Sequence, residues 1–524
     1  MRIFGRISGQ GPSNGKPTGG TGLPKMLQAC LAGFVAVAVG AMLLHPREAT
    51  AAEKLTIALV ANVNTLDPRQ TVTATTDLSV ISHLYSSLVI RSADMKINPS
   101  LAKSWETPDD LTWRFHLVPG VQFPDGEKLD AAAVKWNIDN ILDPATKSRV
   151  KIWYQAIKEV RVVDPATVDI ITEKPFPALL DQLSMMFLLP PEWTGKNNPA
   201  NAAMGTGPYD LVDFKSGDHL TLKAKKDYWG EKPQFDEVVF RVMPEDSSRI
   251  AALLSGDVDL ITSFPPSEID RINKSGKADA GAVPSARAMF VKLNTLIPPF
   301  KGNTKLRVAL NYAVDRKAIN DSLWNGLGEL AACQVLSKDY FGFDPDLKPY
   351  AYDPAKAKQL VAEAGYPDGL DITLQVPQGR YLQSNEIAQV VAAQLGDIGV
   401  RAKIIEMQFG EFMKEYVPGK LGPAAYMGLT FPTLDGDGQL RYFHPGYTPG
   451  TYDNAKFGEL VDKASSTLDR DARLKLYKEA AETMCKDPPV IFMFFQPVTY
   501  GESSRVKWQA RGDDWIRAYD VKLR

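Results

Sequence analysis

The side chains that ordinarily run catalysis are sparse and scattered in this sequence. Five histidines stand at 45, 83, 116, 219 and 444, too dispersed for a dedicated histidine metal site. Three cysteines cannot build a zinc cluster or a disulfide scaffold. No G-x-S-x-G, H-E-x-x-H, C-x-x-C or P-loop follows residue 52. Ser100 and Lys103 have the S-x-x-K spacing of an acylating serine, but the companion S-D-N and K-T-G elements are missing. Gly205-Thr206-Gly207-Pro208 begins like a dinucleotide loop, lacks the third glycine, and carries a proline that would block the helix start. Its glycines predict a tight backbone turn. Asp435-Gly436-Asp437-Gly438 is too short for an EF-hand loop and has no terminal glutamate, so it predicts a turn. Arg511-Gly512-Asp513 predicts a surface turn. These residue types point to binding rather than bond-making, with no enzyme activity, cofactor or metal expected.

The chain has 524 residues, enough for two or three domains. With 44% hydrophobic and 23% charged residues it reads as globular, which excludes a disordered or fibrous chain. A net charge of -2 without a basic patch argues against nucleic acid as a partner. Residues 1–52 differ from the rest. Four basic residues precede the apolar run 26–44, and Ala49-Thr50-Ala51-Ala52 follows it. Basic region, apolar core and small-residue site predict a cleavable export signal, with an uncleaved anchor as the alternative. Cys333 and Cys485 then remain in an oxidising compartment, either paired or as two buried thiols.

The elements that must position any binding site alternate between strand and helix. Leu111–Val118 predicts a strand with Leu111, Trp113, Phe115 and Leu117 on one face. Asp130 predicts a helix cap, with Val134, Ile138 and Ile141 facing inward. Asp353-Pro354 gives N-cap and N1 of a helix that Gly365 ends. Strands at 371–376 and 401–406 flank a second helix opened by Ser384, a βα pattern that predicts an α/β sheet. A last helix at 470–484 is broken by Pro488-Pro489 before an apolar strand at 490–495.

Several stretches in this order resemble one known family. Asn64-Thr65-Leu66-Asp67-Pro68 follows the first strand, and LAKSWETPDDLTWRFHLVPGVQFPDGEKLDAAAVKWNI fills 101–138. GTGPYDLVDFKSGD (205–218), DYWGEKPQFDEVVFRV (227–242), SRIAALLSGDVDL (248–260), KLRVALNYAVDRKAI (305–319) and YDPAKAKQLVAEAGYPDG (352–369) complete the set. Over about 450 residues, the chain resembles the family 5 solute-binding proteins of bacterial ABC importers. The resemblance implies an α/β, two-lobed periplasmic binding protein fold with a hinge and an extra inserted domain. Lobe I would comprise 53–95, 205–285 and 490–524, the insertion 96–204, and lobe II 286–489. It implies a monomer in the periplasm that captures a peptide-like or other small polar solute. The partners would be inner-membrane permease subunits and their ATPase. A sensory binding protein and a secreted hydrolase are the alternative classes.

Family position also nominates site residues. Asn64 and Thr65 lie on the loop after the first strand, and Tyr85 ends a helix that faces the cleft in many relatives. Asn294 ends a strand entering lobe II. Arg380 and Tyr381 follow the strand at 371–376, where a guanidinium can hold a carboxylate bidentately. Phe431 and Asp435 lie on the family's ligand-reading loop. Peptide-binding relatives often carry a Trp and an ammonium-pairing Asp there. This chain reads Leu429-Thr430-Phe431-Pro432-Thr433-Leu434-Asp435, so Asp435 is either a displaced partner or a turn acid. The departure opens opines, sugars and organic acids beside peptides as ligands.

Overall fold

The computed structural model describes residues 53–71 and 75–524, and the expected export signal with its cleavage site lies outside them. One eleven-stranded sheet runs through both lobes. Its centre is the antiparallel pair Ala278–Leu293 and Val490–Ser503, the two places where the chain passes between lobes. Their register runs from Ala278 opposite Ser503 to Pro284 opposite Pro497, breaks, and resumes at Ala288 opposite Phe495. On the lobe I side the sheet continues through Leu260–Thr262, Lys54–Leu59, Glu237–Val242, His219–Ala224 and Tyr209–Lys215. On the lobe II side come Ala424–Leu429, Leu370–Gln378 and Val400–Gln408.

Strand alternation explains why the lobe II half is covered on both faces. Met289, Val291 and Leu293 enter one core with Trp324, Ile387 and Phe494. Ala286, Ala288 and Phe290 enter the opposite core with Tyr442, Phe457 and Tyr477. Cys333 and Cys485 are bonded, tying the loop after Glu329–Leu330 to the C-terminal end of helix Arg470–Lys486. The predicted caps are present: Asp353 accepts from the Lys356 N–H and Asp130 from those of Ala132 and Ala133.

Between the first and second lobe I segments lies a separate four-stranded sheet, Ala102–Asp109, Thr112–Leu117, Thr167–Thr172 and Ile157–Asp164. Helix Ala131–Leu142 packs its Val134, Ile138 and Ile141 there with Phe115 and Leu117. Leu111 departs from its expected inward face: the strand starts at Thr112, and Leu111 is exposed in the preceding turn.

Two sequence readings need a different physical reason. Gly205 and Gly207 do not supply a left-handed turn. They are glycines because the chain leaving helix Thr76–Leu84 lies against them. A Cβ on Gly205 would meet the Leu84 carbonyl oxygen at 2.3 Å, and one on Gly207 the His83 carbonyl oxygen at 2.5 Å. Arg511 is not on a surface turn but fully buried. It forks onto Asp513 at 2.6 and 2.9 Å and donates to the Arg91 carbonyl.

Candidate functional site in the interlobe cleft

The site is built where the crossing strands change lobes. Within the register break the Ser285 hydroxyl caps the Arg287 N–H, and the buried Arg287 guanidinium donates to Asp514 at 2.7 Å. Asp514 comes from the C-terminal segment of lobe I and has a left-handed backbone (φ 64°). Gly428 leaves room for this arrangement: a Cβ there would meet Met289, Tyr381 and Arg287 at 2.5 to 3.1 Å.

Arg380 arrives from the opposite direction. Strand Leu370–Gln378 ends, Gly379 takes φ 67°, and the chain turns into helix Ser384–Asp397. The turn is pinned by the Tyr381 hydroxyl donating to the Gly428 carbonyl (3.1 Å) and by the Leu382 N–H donating to Gln496 Oε1 (3.2 Å). The Arg380 guanidinium lies 5.5 Å from the centre of the Tyr381 ring and 5.7 Å from that of Phe409, within cation–π range. It makes no hydrogen bond or ion pair among the described residues. Water reaches the side chain. Yet desolvation by surrounding protein, then the nearby Arg287 charge, lowers its pKa. The guanidinium is open to solvent and stands near Arg287, beside the strands that join the lobes. Such a group can receive a carboxylate through two parallel N–H donors.

The other expected ligand contacts are dispersed. Asn64 is exposed, and its backbone N–H and side-chain amide turn onto Asp77 at 2.9 and 3.3 Å. Thr65 is buried and caps the Asp67 N–H. Tyr85 is 1% exposed and packs in the lobe I core rather than facing a solute, because Gly205 lies flat against its ring. Asn294 is buried beyond the cleft and holds the Leu421 carbonyl and the Leu296 N–H. Phe431 packs on Gly438, its backbone held by the Tyr340 hydroxyl. Asp435 proves to be the turn acid: it caps helix Gly436–Arg441, and both its oxygens accept from Arg473 at 2.6 and 2.7 Å. Burial raises its pKa. Its charge is paired with Arg473, and the residue serves here as helix cap and ion-pair partner.

A second opening between the lobes, about 730 Å³, is lined by Arg91, Asp181, Asp339, Phe341, Asp435 and Arg473 among others. Arg380 and Tyr381 do not border it. Arg91 closes its floor, donating to Asp181 (2.7 Å) and, across the lobe boundary, to the Thr433 carbonyl (2.6 Å). Burial and the neighbouring Asp435 raise Asp181 to about 6. Arg287, Asp514 and Arg91 carry no motif that would single them out in the sequence, since their partners lie far along the chain. Among the described residues no group of three or more His, Cys, Asp and Glu is placed to hold a metal ion.

Two α/β lobes on one continuous sheet, with an unpaired, solvent-accessible guanidinium beside the strands that join them, are the architecture of an extracellular solute-binding protein. The model of the bacterial extracellular solute-binding proteins, family 5, matches residues 96–471, and the chain belongs to that family. It is 30% identical to the glutathione-binding protein GsiB of Salmonella typhimurium over 476 residues, covering 87% of this chain and 92% of that protein. The ABC transporter-associated periplasmic binding protein DppA of Helicobacter pylori, solved with the peptide STSA, superposes with a TM-score of 0.79. The two are 26% identical, over 90% of this chain and 98% of that one. AgaA of A. tumefaciens R10, solved with agropinic acid, gives 0.78 at 26% identity, over 90% and 99%. The expected fold class and periplasmic, solute-binding role are thereby established.

Proposed function

We propose that this chain captures a small carboxylate-bearing solute between its lobes and hands it to the membrane permease of an ABC importer, binding without turnover. Arg380 carries the reading: it is a guanidinium held inside the cleft by a pinned turn, with no protein carboxylate of its own. Relatives that bind glutathione, a peptide or an opine-type acid support a solute of that size and charge. The export signal read in 1–52 is removed on this proposal, and the mature N-terminus falls at Ala52 or Glu53. Intact-mass analysis of periplasmic protein checks it.

The test is a thermal-shift screen of peptides, glutathione, opines, sugars and organic acids, followed by titration calorimetry with Arg380→Ala. Truncating one partner of a buried charge pair costs about 2–5 kcal/mol. That is a loss of roughly 30- to 4,000-fold in Kd at about 1.4 kcal/mol per decade. A loss below about fivefold, the range of a solvated arginine, with unchanged unliganded stability, removes Arg380 from the site.

A further inference from the structure

Resting on the reading of Arg380 as a carboxylate anchor, we propose that the cleft selects anionic solutes whose amine is masked, such as N-acylated amino acids and peptides, over zwitterionic dipeptides. The argument is one of charge at close quarters. Two guanidinium groups, Arg287 and Arg380, reach the crossing from the hinge strand and from lobe II. Among the described residues the one carboxylate paired with either of them is Asp514, which accepts from Arg287 at 2.7 Å. Lobe closure around Arg380 therefore encloses one uncompensated positive charge. A buried charge without a partner is strongly unfavourable, so the bound solute must bring a negative one.

A free α-ammonium entering the same space needs a counter-charge, and the neighbouring acids already have cationic partners. Asp435 gives both oxygens to Arg473, Asp181 pairs with Arg91, and Asp514 pairs with Arg287. The rings that could face an ammonium, Tyr381 and Phe409, are already faced by Arg380. Asp339 is the one remaining acid near the crossing without an ion-pair partner among the described residues. It borders the second opening, from which Arg380 is absent. An ammonium at Arg380 would thus meet two guanidinium groups, where every acid named but Asp339 already has a cationic partner, a like-charge arrangement that disfavours binding. An acyl cap on the same nitrogen removes the charge and keeps an N–H donor.

The experiment uses the exported full chain, stripped of carried solute by unfolding and refolding. It is titrated with dipeptides of small, aliphatic, aromatic and charged side chains, each in free, N-acetyl and C-amide form. The expected result is that N-acetyl acids bind at least about tenfold tighter than their free counterparts, and that Arg380→Ala weakens that binding at least roughly 30-fold. Free dipeptides binding as tightly as the acetylated forms overturn the charge selection while leaving Arg380 as anchor. If that ammonium preference also disappears in Asp339→Asn, the ammonium site lies on Asp339. C-amides binding as well as acids instead refute Arg380 as anchor. A set in which no N-acetyl acid binds likewise overturns the proposal.

Discussion

Acidification should detach the C-terminal segment from helix Thr76–Leu84 through a single imidazole. His83 is fully buried. Its Nδ1 faces the Ser79 and Val80 carbonyls at 3.0 and 3.1 Å, and its Nε2 lies 2.8 Å from the Ala518 N–H. Only the neutral ring protonated at Nδ1 satisfies both sides, as this hydrogen-bond pattern assigns it. Burial, and to a lesser degree the charge of Arg517, lowers its pKa from 6.5 to about 4. A depressed folded pKa means that the unfolded chain binds the proton first. The contribution to stability is complete above 6.5 and is lost as pH falls through the window down to about 4. At 1.36 kcal/mol per unit, that loss is about 3 kcal/mol. His83→Gln keeps an acceptor for Ala518 and a donor for the carbonyls but cannot ionise. Urea unfolding of both proteins between pH 7 and pH 4 isolates the imidazole, because the carboxylates cancel in the difference. Wild type should lose about 3 kcal/mol relative to the variant across that range. Parallel pH curves for the two proteins would refute a neutral buried His83.

Further outcomes follow from other contacts. Asp435→Asn strands a buried Arg473 and should cost about 3–5 kcal/mol in chemical denaturation. The folded protein's affinity for the screened solute should be unaltered, in keeping with a capping rather than a ligand-binding role. Gly207→Ala places a methyl against backbone atoms of His83 and Leu84 and should cost at least about 1–3 kcal/mol, the usual range for overpacking, read as a lower Tm. Replacing Cys333 and Cys485 together by serine releases a crosslink spanning 152 residues. The loss should reach up to about 5 kcal/mol by the chain-entropy argument, measured by urea unfolding without reductant. Small-angle scattering should show a smaller radius with saturating solute, and an unchanged profile with binding confirmed would count against hinge closure.

What the sequence made legible was local. Asp130 and Asp353 announce their helices because a cap acts within three residues, and the inward faces of Thr112–Leu117 and Ala131–Leu142 follow from period alone. The apolar run alone predicts a strand of 490–495, shorter than the one observed. Pro497 looks like a terminator, but it sits opposite Pro284, where neither side needs an N–H, so the strand continues to Ser503. The site was harder to see for the same reason of distance. Arg287 and Asp514 are 227 positions apart, and Arg473 reaches Asp435 across 38. Nothing near Asp435 in the chain reveals that its charge is already taken. The nomination of Arg380 rests on a glycine turn after a strand, which places a side chain at a sheet's edge, and that logic needs no distant partner.

The proline pair at the crossing has a mechanical meaning. Both strands that join the lobes are hydrogen-bonded to each other on either side of Pro284 and Pro497, so each lobe's half of the sheet resists shear as a stiff plate. At the crossing, the facing residues have no amide hydrogen to give. Bending there, or in the unpaired stretch 285–287 just beyond it, breaks no ladder bond between the two strands, whereas bending along the regularly paired stretches would. The sheet is in effect scored along one line. A rotation of one plate against the other about that crease would swing the Arg380 turn toward or away from Asp514, carrying the lobe II side of the cleft with it.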